Sequence, residues 1–254
     1  MRAPTGAALI AALVAAAVFG SACRGVLKKE YEYEEELYLD LDGSATVYVN
    51  ASVPALVALR GLDLPVDPAA RIDRRELRAQ FEGPGVAART PTLSRRDGRR
   101  FVHVRIDVDD IDAIERIAPL SWSSYQITRS GESVEFRQVV GEPAGMPVGD
   151  VGWTGAELVA FRTHLPSRIE EHNVPSREVQ RGNILSWEQP LAERLRGAPL
   201  DLRARMEGQS ILYRTLLLFA GTGVAALGTL ALVVWWMARP TPSAPGPPSP
   251  QHRS

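Results

Sequence analysis

From Thr215 to Ala238 the chain runs for 24 residues without a charge. A helix of that length reaches about 36 Å, enough to cross the roughly 30 Å hydrocarbon layer of a bilayer. Leu216, Leu217, Leu218, Phe219, Leu227, Leu230, Leu232, Val233 and Val234 carry the apolarity. Tyr213 stands at one end and Trp235 and Trp236 at the other, where amphipathic rings suit the membrane–water interface, and Arg214 and Arg239 flank the run. Gly221, Gly223 and Gly228 do not make a GxxxG spacing, so no dimer face is read here. A core helix buried on all sides would be unusually long at this length. The expectation is one transmembrane helix over 211–238.

A second apolar stretch, Ala7 to Phe19, is too short to span comfortably. Arg2 precedes it and the small residues Gly20, Ser21 and Ala22 follow, which is the layout of a secretory signal peptide over residues 1–22. Cys23 is the chain's one cysteine, so no intrachain disulfide can form. Its place directly after Gly-Ser-Ala resembles a bacterial lipobox, whose cysteine is lipidated and becomes the mature N-terminus. Gly20 stands where such signals usually carry a Leu-like residue, and a small residue near an ordinary cleavage site is the alternative. Cys23 is the expected lipidation site.

A cleaved signal followed by one span puts the intervening domain outside the cytoplasmic membrane and the C-terminal tail inside. The flanking charges point the other way. Arg24, Lys28 and Lys29 follow the first segment, and Arg194, Arg196, Arg203, Arg205 and Arg214 precede the second. The signal layout takes precedence, because long domains translocate largely regardless of charge. The tail, 239–254, holds six prolines between Pro240 and Pro250 and is expected to be disordered and cytoplasmic.

Net charge is −1, which gives no global pull toward nucleic acid. The charge is uneven, however. Residues 28–42 set two Lys against seven carboxylates, and residues 71–105 set ten Arg against four. The basic part could face anionic headgroups, each charge adding about 1 kcal/mol near a surface. Solvated arginines on an exposed helix and hairpin are the plainer reading.

Between the two apolar ends, alternation with a period of two dominates. Tyr31, Tyr33, Leu37, Leu39 and Leu41 share a strand face, Asp42-Gly43 signals a hairpin, and Ala45, Val47 and Val49 return. A helix follows with Ala55, Leu56, Leu59 and Leu62, then a second that Asp73 caps, with Leu77 and Phe81 inward and Gly83-Pro84-Gly85 as its stop. Asp97-Gly98 turns into a strand with Val102, Val104, Ile106 and Val108 on one face. Asp109 or Asp110 caps a short helix through Ile114 and Ile117. Tyr125 and Ile127, then Val134, Phe136 and Gln138, form a third hairpin around Gly131. Residues 141–153 read as a linker or long loop, with a possible sub-boundary there. Beyond it Val159, Phe161, Thr163 and Leu165, then Ile184 to Trp187, then Leu200, Leu202, Ala204 and Met206 alternate, as added strands or as a small satellite. The fold class is α+β, an antiparallel sheet with a few packed helices plus the C-terminal transmembrane helix.

Chemistry-bearing residues are sparse. Asp107, Asp109, Asp110 and Asp112 lack the glycine and distal glutamate of an EF-hand and read as a helix cap. Glu170, Glu171 and His172 could form an acid/base pair or ligands, but no second histidine sits at metal spacing. His103 and His164 fall in strands and read as packed or surface histidines. No GxSxG, Walker loop or GxGxxG occurs. No catalytic, metal or cofactor residue is therefore assigned, and a non-enzymatic protein is expected.

The order of parts carries a resemblance. Cys23, the acidic strand, Leu41-Asp42-Gly43-Ser44-Ala45, the Leu56 to Gly61 helix, Asp97-Gly98, Leu165-Pro166, Asn173 and Gly182-Asn183 before Trp187 make residues 23–208 look like an LppM domain. That family comprises bacterial surface lipoproteins with a signal at the front and a membrane helix at the back. The resemblance implies an envelope protein with an α+β domain near the membrane; one relative is associated with lipid or glycolipid binding, and no catalytic residues are implied. The leading expectation is thus a membrane-anchored envelope protein that binds membrane lipid or an envelope protein partner, and no nucleic acid. A structural or assembly factor, and a carboxylate-based enzyme using Glu170, Glu171 or the Asp107–Asp112 cluster, are the alternatives. A closed apolar cavity, a large exposed apolar patch and a cleft of converging carboxylates would separate the three.

Overall fold

The computed structural model describes residues 29–209 and 211–238. Cys23, the signal-like segment and the proline-rich tail lie outside the described residues.

Strand β1 (Tyr31–Leu39) turns at Asp42-Gly43 into β2 (Ala45–Ser52), with Gly43 at φ +98°, a conformation that suits glycine. Ser52 ends β2 and caps helix α1 (Val53–Arg60): its hydroxyl accepts from the Ala55 amide at 3.1 Å, and Pro54 occupies the first turn, where its missing N–H costs nothing. Every residue of α1 is buried, and Gly61 closes it in the left-handed region. Asp73 caps α2 (Arg74–Ala79), which Leu77 pins to the core. Two short strands, β3 (Val86–Ala88) and β4 (Thr92–Arg96), share one edge of the long β5 (Arg99–Val108). Asp110 then caps a 3-10 helix, Ile111–Arg116. After it come the hairpin β6 (Ser123–Ser130) and β7 (Ser133–Val140), then β8 (Leu158–His164), β9 (Ile169–His172), β10 (Ile184–Pro190), α3 (Leu191–Leu195) and β11 (Leu200–Glu207).

These strands make two sheets. The larger runs β10-β8-β1-β2-β5-β3, with β4 also on β5; the smaller runs β6-β7-β11-β9. All pairs are antiparallel except β1 with β8. A parallel partner needs a crossover, and the whole 40–157 stretch supplies it. The strands on either side of 141–153 enter both sheets, so the late strands form no separate satellite. β8 and β10 extend the first sheet, whereas β9 and β11 join the β6–β7 hairpin in a second.

Inward faces follow the period-two pattern. Leu37, Val47 and Ile106 stand in one row across the large sheet, and Phe136 and Ala204 in one across the small. Both inner faces, α1 and the 3-10 segment share one apolar core. The irregular 141–157 stretch straps this core. The Ala144 and Gly145 amides donate to the Leu59 and Ala58 carbonyls of α1 at 3.0 Å. Trp153 Nε1 donates to buried Glu32 at 3.1 Å, and Arg99 pairs with the same carboxylate at 3.0 Å.

Helix α4 (Ile211–Ala238) contrasts with all of this. Its window Thr215–Ala238 is exposed throughout; Leu218 and Phe219 are 72% and 73% accessible. The Thr222 and Thr229 hydroxyls donate to carbonyls four residues back, Leu218 and Ala225, at 2.8 and 2.9 Å. This one helix is long and apolar enough to cross a membrane.

Candidate functional site

The most unusual chemistry of the domain is inside it. In β1 the inward series Tyr33, Leu37, Leu39 has Glu35 at its centre, and Glu35 is 2% accessible. An unpaired carboxylate there would cost several kcal/mol. It is instead held by groups from both sheets. Tyr33 Oη donates to one oxygen at 2.7 Å; Tyr125 Oη on β6 and Gln138 Nε2 on β7 donate to the other at 2.6 and 2.8 Å. Arg60, at the end of α1, lies 3.5 Å from Glu35 and donates to Tyr33 Oη at 2.9 Å. Its guanidinium stacks 3.5 Å above the Trp122 ring. Burial pushes both phenols well up, so Tyr33 and Tyr125 remain proton donors to the carboxylate. Burial lowers the Arg60 guanidinium, which nonetheless stays charged. A second buried arginine, Arg194 of α3, also lies over Trp122 and donates to the Gly141 carbonyl at 2.9 Å. The cluster is a polar clip between the two sheets.

A second clip sits farther along. Asn173 accepts from Trp187 Nε1 at 3.0 Å and from the Arg203 amide at 2.9 Å, tying β10 of the large sheet to β11 of the small. Asn183, at φ +64°, donates to the Leu165 carbonyl at 3.0 Å and also to that of Ser167.

The carboxylates weighed in the sequence are spread over different elements. Asp110 accepts from the Asp112 amide at 3.0 Å, as a cap does. Asp107 belongs to β5 and pairs with Arg105 at 3.0 Å and Arg89 at 3.3 Å; these bonds hold its carboxyl below the usual range although burial opposes them. Glu170 pairs with Arg205 at 3.2 Å, and Glu171 pairs with the same arginine. They border two surface pockets of about 430 and 310 Å³, the first with Glu132 and Glu207, the second with His172 and Arg203. Among the described residues no group of three or more His, Cys, Asp or Glu is placed to hold a metal ion. His103 bridges strands: its Nδ1 donates to Asn50 Oδ1 at 3.0 Å and its Nε2 accepts from Ser94 Oγ at 2.8 Å, the tautomer that the neutral ring supports. Burial, and then the charge of Arg96, lower its proton affinity. His164 stacks on Tyr38 at 3.8 Å and meets Glu36 at 2.5 Å. Large exposed apolar side chains of the domain, Tyr38, Leu93, Met146 and Val179, lie on four different segments of the chain.

The interior cluster went unread in the sequence, yet it left a signal. A glutamate at an inward position between Tyr33 and Leu37, and a glutamine after Val134 and Phe136, mark a buried polar pair waiting for partners. Arg60 and Arg194 left none, because their neighbours in space are distant in sequence.

No known family profile and no curated protein matches the chain. Among solved structures, the NMR structure of the folded domain of LppM from Mycobacterium tuberculosis is similar to it with a TM-score of 0.36 and 11% sequence identity, over 72% of this chain and 94% of that one. Agreement at that level establishes neither a shared fold nor a shared role.

Proposed function

We propose that this chain is a membrane-anchored, non-enzymatic envelope protein whose α+β domain lies at the outer surface of the cytoplasmic membrane and binds lipid, glycolipid or a protein partner there. The observation that carries the reading is helix α4. Its Thr215–Ala238 window is exposed on every side, and three residues separate the end of β11 from the start of the helix. In water such a surface aggregates, whereas in a bilayer each apolar side chain gains burial at about 25 cal/mol per Å². The Thr222 and Thr229 hydroxyls are bonded within the helix and so are not left bare in hydrocarbon. A lipidated Cys23 would add a second attachment on the same side as the domain.

The test has two parts. The full chain should stay in the membrane fraction through an alkaline carbonate wash; its release would overturn the anchor. Native mass spectrometry of the full chain ejected from neutral detergent should then show a retained lipid mass or a bound protein. A bare chain at every detergent concentration would remove the binding role and leave the anchor.

A further inference from the structure

Helix α2 touches the core through Leu77, and Ile72 before it and Phe81 after it fix its roll. That orientation turns Arg71, Arg74, Arg75 and Arg78 outward, around a surface pocket of about 610 Å³ shared with Asp73 and Thr90. Several other surface arginines are paired, as Arg162 is with Glu34, Arg137 with Asp201 and Arg205 with Glu170. Here only Arg78 is, with Glu82 at 2.6 Å; Arg71, Arg74 and Arg75 have no ion pair in the described structure. Asp73, whose Oδ1 accepts from the Arg75 and Glu76 amides at 2.8 and 3.3 Å, offsets one of these four positive charges. Within the helix the like charges of Arg74 and Arg78 also meet at the spacing where side chains are neighbours and repel. A bound anion relieves that repulsion. Guanidinium forks match the oxygens of a phosphate in pairs, and the Thr90 hydroxyl adds a neutral donor at the rim.

We propose that this pocket binds a phosphate group, either free or as the ester in a lipid headgroup. The headgroup form rests on the membrane-anchored reading above: a domain joined to α4 by three residues is held among headgroups at high effective concentration. The free form does not depend on it.

The test uses the full chain in neutral detergent at fixed ionic strength. Isothermal titration calorimetry is run with inorganic phosphate and, separately, with short-chain phosphatidylglycerol; sodium sulfate and a single-stranded DNA oligomer are the competing anions. Saturable binding of either phosphate probe that weakens about tenfold or more in R74Q/R75Q, and not in the distant pair R181Q/R196Q, supports the site. Binding of phosphatidylglycerol alone assigns it to headgroups, and equal binding of inorganic phosphate assigns it to the group itself. No saturable binding, equal loss in the distant pair, or sulfate or DNA binding tighter than both phosphate probes overturns it. R71Q/R78Q repeats the comparison if R74Q/R75Q loses its far-ultraviolet circular dichroism. A carbonate wash of the same protein reads the anchor separately, so either idea can fail without the other.

Discussion

Removing the charge of Glu35 leaves Arg60 buried without its counter-ion, so Glu35→Gln should destabilise the domain by about 3 kcal/mol or more. Adding Arg60→Met should recover most of that loss, since a buried pair replaced by apolar bulk is often neutral. Thermal unfolding of single and double variants in neutral detergent, followed by tryptophan fluorescence, measures both. A double variant as unstable as the single would mean that the tyrosine bonds, not the charge pair, hold the clip. Asp201 offers a pH test. Arg137 and Arg203 hold its carboxyl at about 2, below the ordinary value near 3.9. A depressed folded value stabilises above the unfolded one, so the contribution is complete above about pH 4 and is lost as the pH falls through about 2. The Asp201 side chain is 32% accessible, and screening limits its contribution to under about 1 kcal/mol. Asp201→Asn should therefore be slightly less stable than the parent at pH 6 and indistinguishable from it at pH 1.5, by urea midpoints; a gap that widened in acid would reverse the assignment. At this scale the sequence was partly legible. Asn173, Asn183 and Trp187 stood out beforehand and turn out to be hydrogen-bonded joints, whereas Glu35 was one carboxylate among seven in residues 28–42.

Helix α1 is eight residues long and too short to persist alone, so its cap and its burial share the work. Ser52→Ala should cost about 1–2 kcal/mol, read from the same unfolding curves, because the Ala55 amide it satisfies is buried. Ser52→Asp should restore part of the bond; no difference between the two would exclude the cap as the cause. Helix α4 is the opposite case, long and exposed over its Thr215–Ala238 window. Val224→Arg with Leu227→Arg near its midpoint should each cost about 2.5–3.5 kcal/mol of insertion and move the protein out of the carbonate-washed membrane. Retention of the double variant would point to another anchor. Helix caps, hairpin glycines and the apolar run were all readable in advance, because each depends on residues within a few positions of one another.

For the whole molecule, the two proposed attachments are unequal. Cys23→Ala should abolish labelling by a fatty-acid probe, while the protein stays membrane-bound through α4, since one transmembrane helix far outweighs acyl chains. Continued labelling would place the lipid elsewhere. A reporter active only outside the cytoplasmic membrane should work when fused after Gln209 and fail when fused after Ser254. The reverse pattern would mean that the Arg-rich flanks decide orientation, and the envelope reading would fall.

The sequence by itself determined the α+β class, the strand faces, the caps and a helix able to cross a membrane. All are short-range consequences of side-chain period and local hydrogen bonding. Tertiary structure alone decided that β1 pairs in parallel with β8, that the late strands divide between two sheets, and that Glu35 meets Tyr125, Gln138 and Arg60. Period fixes which way a side chain faces and leaves open which distant strand or side chain it will meet. That choice is made when two sheets close over one core and a buried carboxylate such as Glu35 must find partners.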